Sequence, residues 1–222
     1  MTLATQSIAS YAHFSRLGGL FLLTVVLLTG CALPDKPRPT TSYDFGPASS
    51  VAATAPAVAS PAPSLPAIVL LEVEASPALD GQALLYRLAY ADAQALLPYA
   101  QARWSMPPAQ LLKKEARARL GAARPILSLG ESVAGNPAPW QLRLELEEFS
   151  QVFEAPAASN GLVRLRVSVT QPSPQGERLI GQRWVTAQRP AATADAPGGV
   201  RALAAATQAA LDEIDAWLRQ LR

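Results

Sequence analysis

The stretch that decides the fold is Gln141-Leu-Arg-Leu-Glu-Leu-Glu-Glu-Phe-Ser-Gln-Val-Phe153. Leu142, Leu144 and Leu146 point one way, while Gln141, Arg143, Glu145 and Glu147 point the other. That is the period-two signature of a strand with one buried face. The phase slips at Glu147-Glu148, because Phe149 and Phe153 fall on odd positions, and the slip predicts a β-bulge. Two further strands follow. Leu162–Thr170 sends Val163, Leu165, Val167 and Val169 inward, with Arg164 and Arg166 outward. Pro172–Gly176 turns the chain, and Arg178–Gln188 returns it, carrying Trp184 as a core or ligand-facing residue. Together these read as an antiparallel meander with one wet face.

On the C-terminal side, Pro190–Gly199 reads as a polar break and Val200–Leu221 as the strongest helix. Val200, Leu203, Thr207, Leu211, Ile214, Leu218 and Leu221 form one stripe, with Trp217 beside it, and Asp215–Arg219 is an i,i+4 ion pair. On the N-terminal side, Ala67–Ala75 is a near-continuous apolar run typical of an interior strand. Pro77–Gly81 is a turn. Ala83–Tyr90 and Ala95–Arg103 read as a hairpin around Ala91-Asp92. Ser105-Met106-Pro107-Pro108 opens a second helix with Ser105 as cap, in which Ala109, Leu112, Ala116 and Leu120 share a face. The expected fold is α+β, a single mostly antiparallel sheet backed by two helices and preceded by a disordered tether.

The tether is the composition shift over Ala32–Pro66, where prolines alternate with Ala, Ser and Thr and no hydrophobic period appears. At about 3.1 Å per residue it could reach roughly 100 Å. Tyr43-Asp44-Phe45 is the one sticky point inside it. Before the tether, Leu17–Cys31 is an uncharged apolar run after Arg16, ending at the chain's only cysteine. A basic flank and a short apolar core mark a secretory signal peptide, and the run is short for a membrane span. Leu28-Thr29-Gly30-Cys31 resembles a bacterial lipobox. The resemblance implies cleavage before Cys31 and lipidation of its thiol, with a palmitate-type acyl group among the lipids carried. The expected domains are a signal peptide at 1–30, a lipidated cysteine and tether at 31–65, and a folded domain at 66–222.

The counts exclude several chemistries. Of 19 basic and 17 acidic residues only Arg16 leaves with the signal peptide, so the mature chain is nearly neutral and offers no case for a nucleic-acid partner. The one histidine, His13, leaves too, and the one cysteine is spent on lipid. Cys/His metal sites and histidine-based catalytic triads are therefore excluded. Gly130-Glu131-Ser132-Val133-Ala134 is one residue from a nucleophile elbow, but no histidine remains to take the serine proton, so Ser132 reads as a loop residue. Glu72/Glu74 and Glu145/Glu147 are period-two carboxylate pairs. Arg164/Arg166 could meet Glu145 and Glu147 across neighbouring strands, which accounts for those residues without a substrate. No catalytic residue, metal or cofactor beyond the covalent lipid is expected. Tyr86, Arg87, Tyr99 and Trp104 belong to the residue types that interfaces enrich and are the candidate partner-binding set, against an equally available role in packing.

The order of lipobox, spacer, strand, then Tyr86-Arg87, Tyr99, Arg103-Trp104, Pro107-Pro108 and Leu111-Leu112, resembles the ABC-type transport auxiliary lipoproteins that accompany mammalian-cell-entry (MCE) and paraquat-inducible lipid transport systems. The resemblance covers roughly residues 66–221. It implies a non-enzymatic, lipid-anchored adaptor on the periplasmic face of the outer membrane, with an MCE protein as partner. Ala32 after Cys31, rather than aspartate, is the residue type expected for outer-membrane sorting. A bound phospholipid and a homo-oligomer are also compatible with the family. The rival reading from the residues is a lipoprotein that regulates a cell-wall synthesis enzyme.

Overall fold

The computed structural model describes residues 39–47, 65–131 and 138–221. Cys31, the lipobox residues Leu28, Thr29 and Gly30, and Ser132 lie outside the described residues. The strands are β1 (Thr41–Tyr43), β2 (Ile68–Leu70), β3 (Glu74–Ala75), β4 (Ala83–Leu88), β5 (Ala93–Trp104), β6 (Ile126–Leu127), β7 (Trp140–Ala155), β8 (Ala158–Ser173) and β9 (Gly176–Pro190). The helices are the single turn α1 (Ala89–Asp92), α2 (Pro108–Gly121) and α3 (Ala196–Leu218).

β7 is the spine. One of its edges is taken along nearly its whole length by β8, antiparallel, and β8 in turn pairs with β9. The other edge is shared by three short strands in succession, all parallel to β7. Ile68 pairs with Trp140, Glu74 with Glu145 and Tyr86 with Gln151. β6 runs parallel to β2, β1 parallel to β5, and among the described residues only the β4–β5 strand pair is antiparallel on this side. The sheet is therefore mixed, which corrects the expectation of a mostly antiparallel one. Alternation along a strand reports which face is buried and carries no information on the direction of its neighbour. Ile68, Val69 and Leu70 are all buried because β2 lies between β6 and β7, as a continuous apolar run requires.

The β7–β9 meander follows the alternation closely. Leu142, Leu144 and Leu146 pair with Val169, Val167 and Leu165, all on the buried face. The register breaks between Leu146 and Glu148, at the anticipated slip. That bulge also changes the ion pairs. Arg166 meets Glu145 as expected, but Glu147 is passed over, Glu148 takes Arg87 at 2.8 Å, and Arg164 stacks on Trp184 instead. Glu72 and Glu74 are held by Lys113 and Arg143.

α3 lies across β7, β8 and β9 and buries the stripe from Val200 to Leu218. It begins earlier than the composition suggests. Asp195 is its N-cap, accepting from the Gly198 N–H at 2.8 Å, and Pro197 sits in the first turn, where its missing N–H costs nothing. α2 packs beside α3, joined by Arg119–Asp212 at 2.5 Å, and buries Leu111, Leu112, Ala116 and Leu120. Ser105 is not its cap. The Ser105 N–H donates to the Tyr43 carbonyl at 2.7 Å, and Pro107 occupies the cap position.

That last bond belongs to β1, which lies within the stretch read as tether. Thr41, Ser42 and Tyr43 pair with Ala102, Arg103 and Trp104. Asp44 then accepts from the Gly46 N–H at 2.7 Å, and this turn brings Phe45 edge-on to Trp104, with ring centroids 5.8 Å apart. The sticky point is thus a strand with an aromatic plug.

Candidate interaction site

The candidate residues Tyr86 and Tyr99 sit on β4 and β5, ring to ring, with centroids 4.7 Å apart, and Phe153 of β7 closes the group at 6.0 Å from Tyr86. The Tyr99 hydroxyl donates to Gln151 Oε1 at 2.8 Å, and Gln151 Nε2 donates to Ser159 Oγ at 2.7 Å. Gln151 is buried, so its amide needs both partners. The first turn of α3 presses on this amide. A Cβ on Gly199 would stand 2.0 Å from Gln151 Oε1, so only glycine permits the approach. Burial, then the neighbouring Tyr86 and the Asp195 carboxylate, push the Tyr99 phenol up to about 12. Asp195 itself is held below the usual carboxylate range by its bonds from Thr193 and the Gly198 N–H, with Arg201 adding a smaller attraction.

A pH dependence follows from Tyr99. Below its ordinary value of 10.0 the phenol is protonated in folded and unfolded chains alike. From there to about 12 the unfolded chain has released a proton that the folded chain retains, so stability falls as pH rises through this interval. Spectroscopic titration of phenolate is expected to show one late-ionising tyrosine that Tyr99→Phe removes. The alkaline loss of stability in that interval should shrink in the same variant.

Arg87 forms a forked contact with Glu148 and also donates to the Ala93 and Gln94 carbonyls, at 3.4 and 3.1 Å. It therefore locks the β4–β5 hairpin to β7. Trp104 is 0 % exposed and packs between Phe45 and Phe149, at 5.8 and 5.5 Å. The four candidates thus come together in two neighbouring groups on β4, β5 and β7. Trp104 has no surface to offer a partner, Tyr86, Arg87 and Tyr99 are half-buried, and all four have packing or bonding partners within the domain.

Beside these residues Tyr90 on α1 is exposed, and a second exposed aromatic lies further off. Trp184 on β9 is 47 % exposed, with the Arg164 guanidinium 4.6 Å and that of Arg166 6.0 Å from its ring centroid. Gln182 next to it donates to Ser168, and Leu179 is exposed further along the strand. The signal was present in the sequence. Trp184 is in phase with Gln182, Thr186 and Gln188, on the wet face. An indole there, flanked by guanidiniums, has the make-up of a contact hot spot.

Among the described residues no group of His, Cys, Asp and Glu is arranged to hold a metal ion, and no helix is long and apolar enough to cross a membrane. The arrangement consists of packing, ion pairs and cation–aromatic contacts, at Trp184 and, with Arg183, at Trp217.

Among the solved structures that resemble this fold, two show the likeness well. Protein XCC0632 from Xanthomonas campestris, of family DUF330, aligns with a TM-score of 0.59 at 15% identity, over 83% of this chain and 88% of its own. A second, uncharacterized protein aligns with a TM-score of 0.56 at 14% identity, over 68% of this chain and 91% of its own. No curated protein matches. At such identities the likeness speaks for the fold alone. The family model for the ABC-type transport auxiliary lipoprotein component matches residues 48–215, from before β2 to the last turns of α3. The chain belongs to the ABC-type transport auxiliary lipoprotein component family.

Proposed function

We propose that this protein is an outer-membrane-anchored periplasmic accessory of an MCE-type ABC lipid transport system, acting by contact and not by catalysis. The observation that carries the reading is the family match over 48–215, in a chain whose Leu28–Cys31 resembles a lipobox. The energy-coupling ATPase would be a separate subunit, because the family role is auxiliary. Docking of β1 bears on how the adaptor would work. Thr41 is ten residues beyond Cys31, and an extended chain covers at most about 3.6 Å per residue. A lipidated Cys31 would therefore hold the domain on a leash of roughly 35 Å, against about 100 Å for a tether free to residue 66. Such an adaptor meets its partner close to the bilayer, and the Trp184–Arg164 face is the best-equipped exposed surface for the meeting.

The test is a photo-crosslinking side chain at position 184 in the full chain, expressed in its native envelope. An MCE-domain protein is the expected product, and a peptidoglycan synthase in its place would favour the cell-wall reading and overturn this one. In parallel, Cys31→Ala should abolish labelling by fatty acid and release the protein from the membrane fraction. Persistent labelling would remove the anchor from the proposal.

A further inference from the structure

One end of the domain holds a cavity of about 510 Å³, framed by the start of β2, the start of β7 and the last turn of α3. That volume lies within the range of small-molecule sites, roughly 300–1,000 Å³. Its apolar walls are Leu65, Ile68, Trp140, Leu218 and Leu221. Arg124 and Arg219 also line it. Both guanidiniums hold the same carboxylate, Asp215, each at 2.6 Å, so two cations share one anion and a positive charge is left over at the wall. Arg124 is only 3 % exposed, and its Nε has no partner among the described residues. A buried guanidinium is normally saturated with acceptors, and a carboxylate or phosphate is the group its fork suits best.

We propose that this cavity binds an anionic amphiphile with a single alkyl chain. The chain lies against the leucines, Ile68 and Trp140, and the carboxylate or phosphate head neutralises the surplus charge of Arg124 and Arg219. A neutral or cationic head of equal chain length leaves that charge uncompensated and binds worse. The inference stands on the cavity and its charges and does not rest on the transport reading.

Native mass spectrometry of the full chain, extracted from membranes in a nonionic detergent, tests it with three 16-carbon probes: palmitate, a lysophosphatidylglycerol and a trimethylammonium amphiphile. A one-to-one non-covalent adduct with palmitate or with the lysophospholipid is expected, and which of the two binds identifies the source of the anion. Ala67→Trp, which fills the cavity from a half-buried position, should abolish the adduct. Arg124→Gln should weaken it roughly tenfold or more, the usual loss for a hydrogen bond to a charged group. The proposal is overturned if neither anionic probe binds, if the cationic probe binds equally well, or if Ala67→Trp keeps the adduct. Should Arg124→Gln fail to fold, the Ala67→Trp and cation arms still decide.

Discussion

Trp104→Ala is expected to destabilise the domain by about 3–5 kcal/mol, the usual cost of emptying a fully buried tryptophan site. Against a total of roughly 5–15 kcal/mol for a folded domain, that loss is large. The site cannot collapse easily. Trp104 is clamped in β5 between β1 and β4, and its ring is walled by Phe45 and Phe149. Leu84, Leu111 and Leu112 belong to the same core. Trp104→Phe should cost far less than its lost volume suggests. The indole Nε1 is buried with no acceptor among the described residues, and removing an unpaired donor relieves a penalty of about 1–3 kcal/mol. Urea unfolding of the two variants, read as midpoint shifts at unchanged slope, checks both statements. A Trp104→Phe loss as large as its lost volume suggests would mean that the indole nitrogen is satisfied by water.

Gly161→Ala is the second large effect. Gly161 is on β8 where α3 crosses it, and an added Cβ would lie 2.5 Å from both the Ala202 carbonyl carbon and the Leu203 nitrogen. These are backbone atoms of a buried helix, so no side chain can swing away. The helix must lift, loosening Leu203, Ala206 and Ala210 together. Overpacking a core usually costs about 1–3 kcal/mol, and this geometry places the change at or above the top of that range. Gly121→Ala is the control. Its Cβ would have ordinary contact, 3.6 Å from Ile126 Cγ1, and thermal unfolding should show it neutral or slightly stabilised.

Nothing in the sequence around Gly161 announces this cost, and that marks a limit of what local pattern can say. Gly161 sits in an apolar-polar alternation that would read equally well with alanine. Only the crossing of α3 makes its missing side chain necessary. Trp104 and Tyr99 pose the same problem for function. Their residue types are those of interfaces, yet Trp104 faces a plug from residue 45 and Tyr99 faces a buried amide on β7. Trp184 was in the right phase to be exposed all along. What the pattern lacked was the register that sets Arg166 directly opposite it and Arg164 over its ring.

The likeness of Leu28–Cys31 to a lipobox, the lack of a histidine after His13 and the buried stripe of α3 were legible in the sequence alone. So were the core residues of β7 and β8 and the bulge after Leu146, whereas β9 buries Val185 and Ala187 and exposes Trp184. Each depends on a spacing of residues close together in the chain, where backbone geometry converts position directly into direction. The parallel stacking of β2, β3 and β4 along one edge of β7 was decided only in three dimensions, as were the docking of β1 and the cavity beside Arg124. Strands of two to six residues carry too little pattern to choose a partner or a direction. Their places follow from which edges and pockets remain once the long strands have closed.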